Sequence, residues 1–229
     1  LITPSLQAEC KLELGDILLM SGDVWEASLT YSQVEKAFKY DPVGQEAKFR
    51  NAKISYYTGD FKWAQAQLDV LKGSTSKLIA NDAMALSIMI TDNVGWDSVT
   101  IPLEMYARAE LLSFRNKDDD ALLVLDSIKS KYPNHPIGDD VLMMRYGIMI
   151  KKKNYEYAAK YLQLVIDNYS QDVLADKALF YLADLNENKL NDKQKAMVLY
   201  QDLLVKFPGS MFTVEARKRF RNLRGDTVN

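Results

Sequence analysis

The chain alternates between short polar turns and amphipathic runs of helical spacing. Residues 116 to 133, NKDDDALLVLDSIKSKYP, open on a polar turn, carry Ala121, Leu125 and Ile128 at intervals of four and three, and close on an aromatic residue and proline. Apolar positions at i, i+4 and i+7 line one face of a helix, so this run predicts one helix with a defined stop. The pattern recurs. Ala158, Leu162 and Val165 follow 37 residues later, and Ala196, Tyr200 and Leu203 a further 38. Upstream, Ala27, Tyr31, Val34 and Ala64, Leu68, Leu71 lie 37 apart. Five copies in one register mark an internal repeat.

Each anchoring alanine has an upstream partner. Twelve residues earlier stands a small residue in a helical apolar pattern, Gly15, Ala52 or Ala109. A small side chain there lets a second helix approach, so the unit is a helical hairpin. Two copies depart: Tyr146 occupies the small position in the fourth, and Ala183 lies thirteen residues before Ala196 in the fifth, which places an inserted residue near Lys189. Looser hairpins are expected there.

The predicted helices of the first block, residues 1–73, are 4–20 with 24–40 and 44–58 with 61–72. Gly22-Asp23 and Gly59-Asp60 supply the turns, because a tight reversal needs a positive φ, and Gly73 is expected as a C-terminal cap. Thr3 before Pro4 reads as an N-cap with proline at the first helical position. The period then fails, since 57 residues separate Ala64 from Ala121. The surplus, 74–101, holds an unpaired helix over 76–93, apolar at Ile79, Ala83, Leu86 and Ile90 with Leu78 and Met89 alongside, and a loop over 94–101. The loop is long enough to run back along the helix, with Trp96, Val99 and Ile101 packed inward. Thr100 is the expected N-cap of the next helix. Three hairpins follow within 102–209, at 103–115 with 118–131, 138–152 with 155–168 and 173–188 with 193–206. Residues 210–229 form a basic capping helix, 211–223, and tail.

These residues resemble the tetratricopeptide repeat (TPR) family over most of the chain. The resemblance implies an all-α fold, a right-handed α-α superhelix of antiparallel hairpins, and a non-enzymatic scaffold for protein interaction. The period exceeds the family's usual value of about 34. The endings Tyr132-Pro133-Asn134, Tyr169-Ser170 and Phe207-Pro208-Gly209-Ser210 look like the longer repeats of bacterial envelope TPR proteins. A periplasmic or envelope-associated place is therefore expected, with the cytoplasm as the alternative.

The first helices of TPR hairpins line a groove that takes a peptide. The residues three before the small position, one after it and four after it tend to face that groove: Leu12, Asp16 and Leu19, then Phe49, Lys53 and Tyr56, then Tyr106, Glu110 and Ser113, with Met143, Gly147 and Ile150 in the fourth hairpin. The competing reading is that Phe49, Tyr56 and Tyr106 fill gaps between hairpins. TPR domains that clamp a chaperone's C-terminal carboxylate carry asparagine directly after the small position. Asp16, Lys53, Glu110, Gly147 and Asp184 stand there, which argues against that activity.

Composition adds few constraints. Lys and Arg number 29 against 31 Asp and Glu, for a net charge of -2, so nothing global points to nucleic acid. No apolar run reaches the roughly 20 residues of a membrane span. One cysteine, Cys10, leaves no intramolecular disulfide and no cysteine-based zinc site. A monomer or weak oligomer without cofactor or metal is expected. The opening LITPSLQAEC lacks methionine and a secretory signal, as expected for a piece of a longer polypeptide cut between helices. A structural or accessory subdomain of such a chain is the alternative function.

No enzyme motif is present in the sequence. His135, the sole histidine, sits after Tyr132-Pro133 in a polar turn. Asp118-Asp119-Asp120 and Asp139-Asp140 open helices, where carboxylates complement the helix dipole. Trp25 and Trp63, beside anchoring alanines, are expected between hairpins, and Trp96 in its loop is a candidate contact. Five cations on the last helix, Arg217, Lys218, Arg219, Arg221 and Arg224, read as a solvating cap.

Overall fold

A computed structural model describes residues 3–94 and 99–226, which hold twelve helices and no strand. The helices fall into two compact units that meet at Pro136 and Ile137. The first holds α1 (Pro4–Ser21), α2 (Val24–Ala37), α3 (Pro42–Tyr57), α4 (Phe61–Leu71), α5 (Lys77–Val94), α6 (Ile101–Phe114) and α7 (Asp118–Lys131). The second holds α8 (Gly138–Lys151), α9 (Tyr155–Asn168), α10 (Ala175–Asn188), α11 (Lys193–Lys206) and α12 (Thr213–Arg224). Five hairpins, α1–α2, α3–α4, α6–α7, α8–α9 and α10–α11, turn back through two to four residues and pack along their length.

The repeat register is exact at the anchor. Ala27, Ala64, Ala121, Ala158 and Ala196 are each the fourth residue of a second helix and each fully buried. Four residues on, Tyr31, Leu68, Leu125, Leu162 and Tyr200 are also fully buried. The facing small positions Gly15, Ala52, Ala109 and Ala183 are buried too. Gly15 has a specific reason to lack a side chain, because a Cβ there would lie 2.2 Å from the Tyr31 ring. Where the second helix carries Leu68 or Leu125 instead, alanine is accommodated.

The turns share one conformation. Five residues before each anchor φ is positive: Gly22 (105°), Gly59 (82°), Asn116 (58°), Lys153 (56°) and Asn191 (57°). Asparagine tolerates this left-handed region and lysine less so. The inserted residue of the fifth repeat is absorbed here, since four residues join α10 to α11 where three join α8 to α9. Gly73 differs: its φ is not positive, and α4 ends at Lys72 in right-handed geometry. Thr3 caps α1 by accepting from the Leu6 N–H at 3.3 Å. Thr100 is the N-cap residue of α6, but its hydroxyl donates to Glu104 at 2.6 Å and makes no capping bond to the backbone.

Other expectations are corrected. The fourth and fifth hairpins pack as extensively as the rest, because Tyr146 turns its ring out to stack on Tyr181 at 5.7 Å. On α5 the inner face is Ile79, Ala83, Ser87 and Ile90, while Leu78 is exposed. Trp96 lies outside the described residues, but Val99 and Ile101 are exposed and Pro102 with Leu103 take the inward places. Trp25 and Trp63 are 85% and 59% exposed. Each residue turns a helix by about 100°, so positions one and two before a buried alanine point away from its partner helix.

Leu125→Ala and Leu162→Ala are expected to cost about 2 to 5 kcal/mol in chemical unfolding, and Ala121→Leu about 1 to 3. Gly15→Ala should cost about 1 to 3 kcal/mol by forcing the Tyr31 ring aside. Adding Tyr31→Leu, which reproduces the Ala52 and Leu68 pair, should recover part of that loss.

Candidate functional site

The nine groove residues expected on the first three hairpins divide by angle around their helices. Positions three before and four after the small residue lie within about 60° of it, on the side that meets the paired helix. Leu12, Leu19, Tyr56, Tyr106 and Ser113 are accordingly buried, and Phe49 is half-buried. Burial removes those five from any open groove wall. The position directly after the small residue is about 100° away. There Asp16, Lys53 and Glu110 are each half-buried, and each meets a charged side chain of another helix.

Asp16 on α1 accepts from the Tyr31 hydroxyl at 2.5 Å and from Arg50 of α3 at 2.7 Å. Arg50 also donates to Glu46 at 2.9 Å, one turn back on its own helix. Burial, with the Asp16 carboxylate added, holds the Tyr31 phenol far above its ordinary value. Lys53 on α3 lies 3.4 Å from Glu110 of α6, and the Tyr57 hydroxyl donates to the same carboxylate at 3.4 Å. Burial alone would lower the Lys53 ammonium, but the Glu110 carboxylate and the Tyr57 hydroxyl together outweigh it and the net shift is upward.

Helix α6 therefore lies against α3. Arg115, just past its end, donates to the Leu19 carbonyl of α1 at 2.9 Å. Residues 16, 50, 53 and 110 form a row of bridged charges across three helices, on the face where first helices adjoin.

The second unit repeats one of these clasps. Glu46-Ala47 and Arg50 on α3 correspond to Glu215-Ala216 and Arg219 on α12. Arg219 donates to Glu215 at 2.9 Å, to Asp184 of α10 and to the Tyr200 hydroxyl at 3.3 Å. Tyr200 in turn donates to Glu187 at 2.8 Å. Burial and Glu187 raise the Tyr200 phenol, and burial with nearby Tyr181 and Asp184 pushes the Tyr146 phenol up to about 12. The cap helix is thus fastened by one of its own cations. Its duplicated Glu-Ala-x-x-Arg pattern, paired with tyrosine four after the anchor, is legible in the sequence.

His135 lies in the turn after α7, its N–H donating to the Tyr132 carbonyl at 3.2 Å. The acidic runs at 118–120 and 139–140 occupy first turns of α7 and α8. Among the described residues no cluster of three His, Cys, Asp or Glu side chains could hold a metal ion.

Residues 177–210, which span α10, α11 and the turn after them, match the tetratricopeptide repeat family model. The chain carries a tetratricopeptide repeat. The other four hairpins share that TPR's buried anchor alanine and the position four beyond it. In overall structure the chain is similar to a tetratricopeptide repeat protein from Parabacteroides merdae ATCC 43184, with 16% identity and a TM-score of 0.42 over 95% of this chain and 73% of that one. A comparison with curated proteins finds no match.

Because Lys53 is held above its ordinary 10.5, its contribution to stability is whole below that pH and fades as pH rises through the higher folded value. Lys53→Met should cost about 1 kcal/mol near neutral pH. In alkaline unfolding curves the gap between variant and wild type should hold to about pH 10 and narrow above it.

Proposed function

We propose that this TPR chain is a non-enzymatic scaffold that holds a protein partner, with the face shared by α1, α3 and α6 as its peptide-contacting surface. The observation that carries this reading is the row of charges at Asp16, Arg50, Lys53 and Glu110. Residues distant in sequence meet there, half-exposed, and half-buried Phe49 precedes Arg50 on α3. Two cations on α3 stand between a carboxylate on α1 and one on α6, and such a pattern selects partners by complementarity and register. TPR hairpins supply the rigid support.

A structural subdomain is the second reading. It is favoured by α6, which already covers part of α3 and reaches α1 through Arg115. The long repeat period and proline-bearing repeat ends also suit an envelope complex. No helix among the described residues is long and apolar enough to cross a membrane.

Affinity capture followed by mass spectrometry should return a protein partner. The double exchange Lys53→Glu with Glu110→Lys keeps an ion pair between α3 and α6 but reverses its sense. Partner affinity should fall about tenfold or more, equal to about 1.4 kcal/mol, while helical circular dichroism is unchanged. Wild-type affinity in the exchanged protein would move the contact surface elsewhere.

A further inference from the structure

On the opposite side of α3 from Lys53, the first two hairpins leave a crevice of about 400 Å³. Binding sites for small ligands enclose about 300 to 1,000 Å³. Asn51 and Gln67 form its floor, each only 8% exposed. The Ser28 hydroxyl donates to Asn51 Oδ1 at 3.0 Å, and Asn51 Nδ2 donates to Ser32 at 3.0 Å. Gln67 Nε2 donates to Ser55 at 3.0 Å. Trp63, with Ala66 and Val70, forms an apolar wall along α4, and the Glu35 and Lys48 side chains close the other end 3.5 Å apart.

The repeat register shows that this junction could have been filled. Counting from the anchor and small positions, Glu35, Lys48, Asn51 and Gln67 correspond to Ile166, Leu179, Leu182 and Leu199 in the second unit. There Leu179 and Leu182 are buried, and Ile166 and Leu199 pack against the core cluster around Leu179 and Tyr200. The same three-helix junction is an apolar core in one place and a polar crevice in the other. Burying amides between helices stabilises less than packing leucine, so folding alone does not account for the difference.

The geometry points to a peptide site: the crevice between α2, α3 and α4 takes a short extended segment of a partner protein without net charge. The assignment rests on the scaffold reading above and locates a second contact surface for it. Gln67 Oε1 accepts from no donor among the described residues, and one N–H of Asn51 is uncommitted. A peptide unit presents one N–H and one carbonyl, which matches that free acceptor and donor. An apolar side chain of the segment lies against Trp63, the residue type that most often anchors protein interfaces. Glu35 and Lys48 neutralise each other, so the segment needs no charge of its own.

The test uses a phage-displayed library of random linear peptides selected on the full chain. Enriched peptides should lose about tenfold or more in affinity for Gln67→Leu, which copies Leu199, and for the surface change Trp63→Ala. They should keep it for the Lys53→Glu, Glu110→Lys exchange. Peptides that bind both crevice variants like wild type overturn this proposal and leave the scaffold reading standing, whereas a library without binders overturns both. Retention of an oligosaccharide by wild type but not by Trp63→Ala would give the crevice to sugars and overturn the peptide.

Discussion

The structure depends on close approach between paired helices at one buried alanine per repeat. With a methyl group on one helix and a small residue facing it, two backbones come near enough for the side chain four residues further on to be fully enclosed. Dispersion contacts in that space are individually weak and numerous, so the volume that the facing position leaves free limits what the second helix can carry. Gly15 against Tyr31, Ala52 or Ala109 against leucine, and Ala183 against Tyr200 with one more residue between small position and anchor, are three solutions to one constraint. The hairpin is thereby set, and the next hairpin is left to be joined by other means.

Those means are electrostatic where tyrosine is present. Tyr31 and Tyr200 each reach past the small residue to a carboxylate, and an arginine from the next helix in line closes the group. Each arginine is also held by a glutamate one turn back on its own helix. That second bond keeps the guanidinium in place and lowers the entropy lost when the junction forms. One cation therefore orders three groups across two repeats.

Local periodicity made the hairpins legible, since anchors, turns and most helix limits follow from spacing within a few turns. What lay beyond reach was set by neighbours distant in the chain. Asp16 and Glu110 look like solvated charges until α3 is placed between them, and Trp25 looks like core until the angle from Ala27 is counted. The expected groove failed in part for the same reason: Leu12 and Tyr56 lie so near the small position around the helix that pairing claims them first. The polar crevice was hidden because its residues are ordinary one by one. Only comparison with the leucines at the same register marks Asn51 and Gln67 as exceptional.

The contacts of α6 with the first two hairpins stand apart from this nearest-neighbour scheme. Arg115 and Leu19 are 96 residues apart, whereas a hairpin joins residues within about one repeat. Closing a long chain segment costs more entropy than closing a short one, growing slowly with its length. Hairpins can therefore zip locally, but the bridge from the end of α6 to the end of α1 forms only after the helices between them have found their places. Completion of the first unit is in this respect a late, collective event, unlike the piecewise growth of a plain repeat stack.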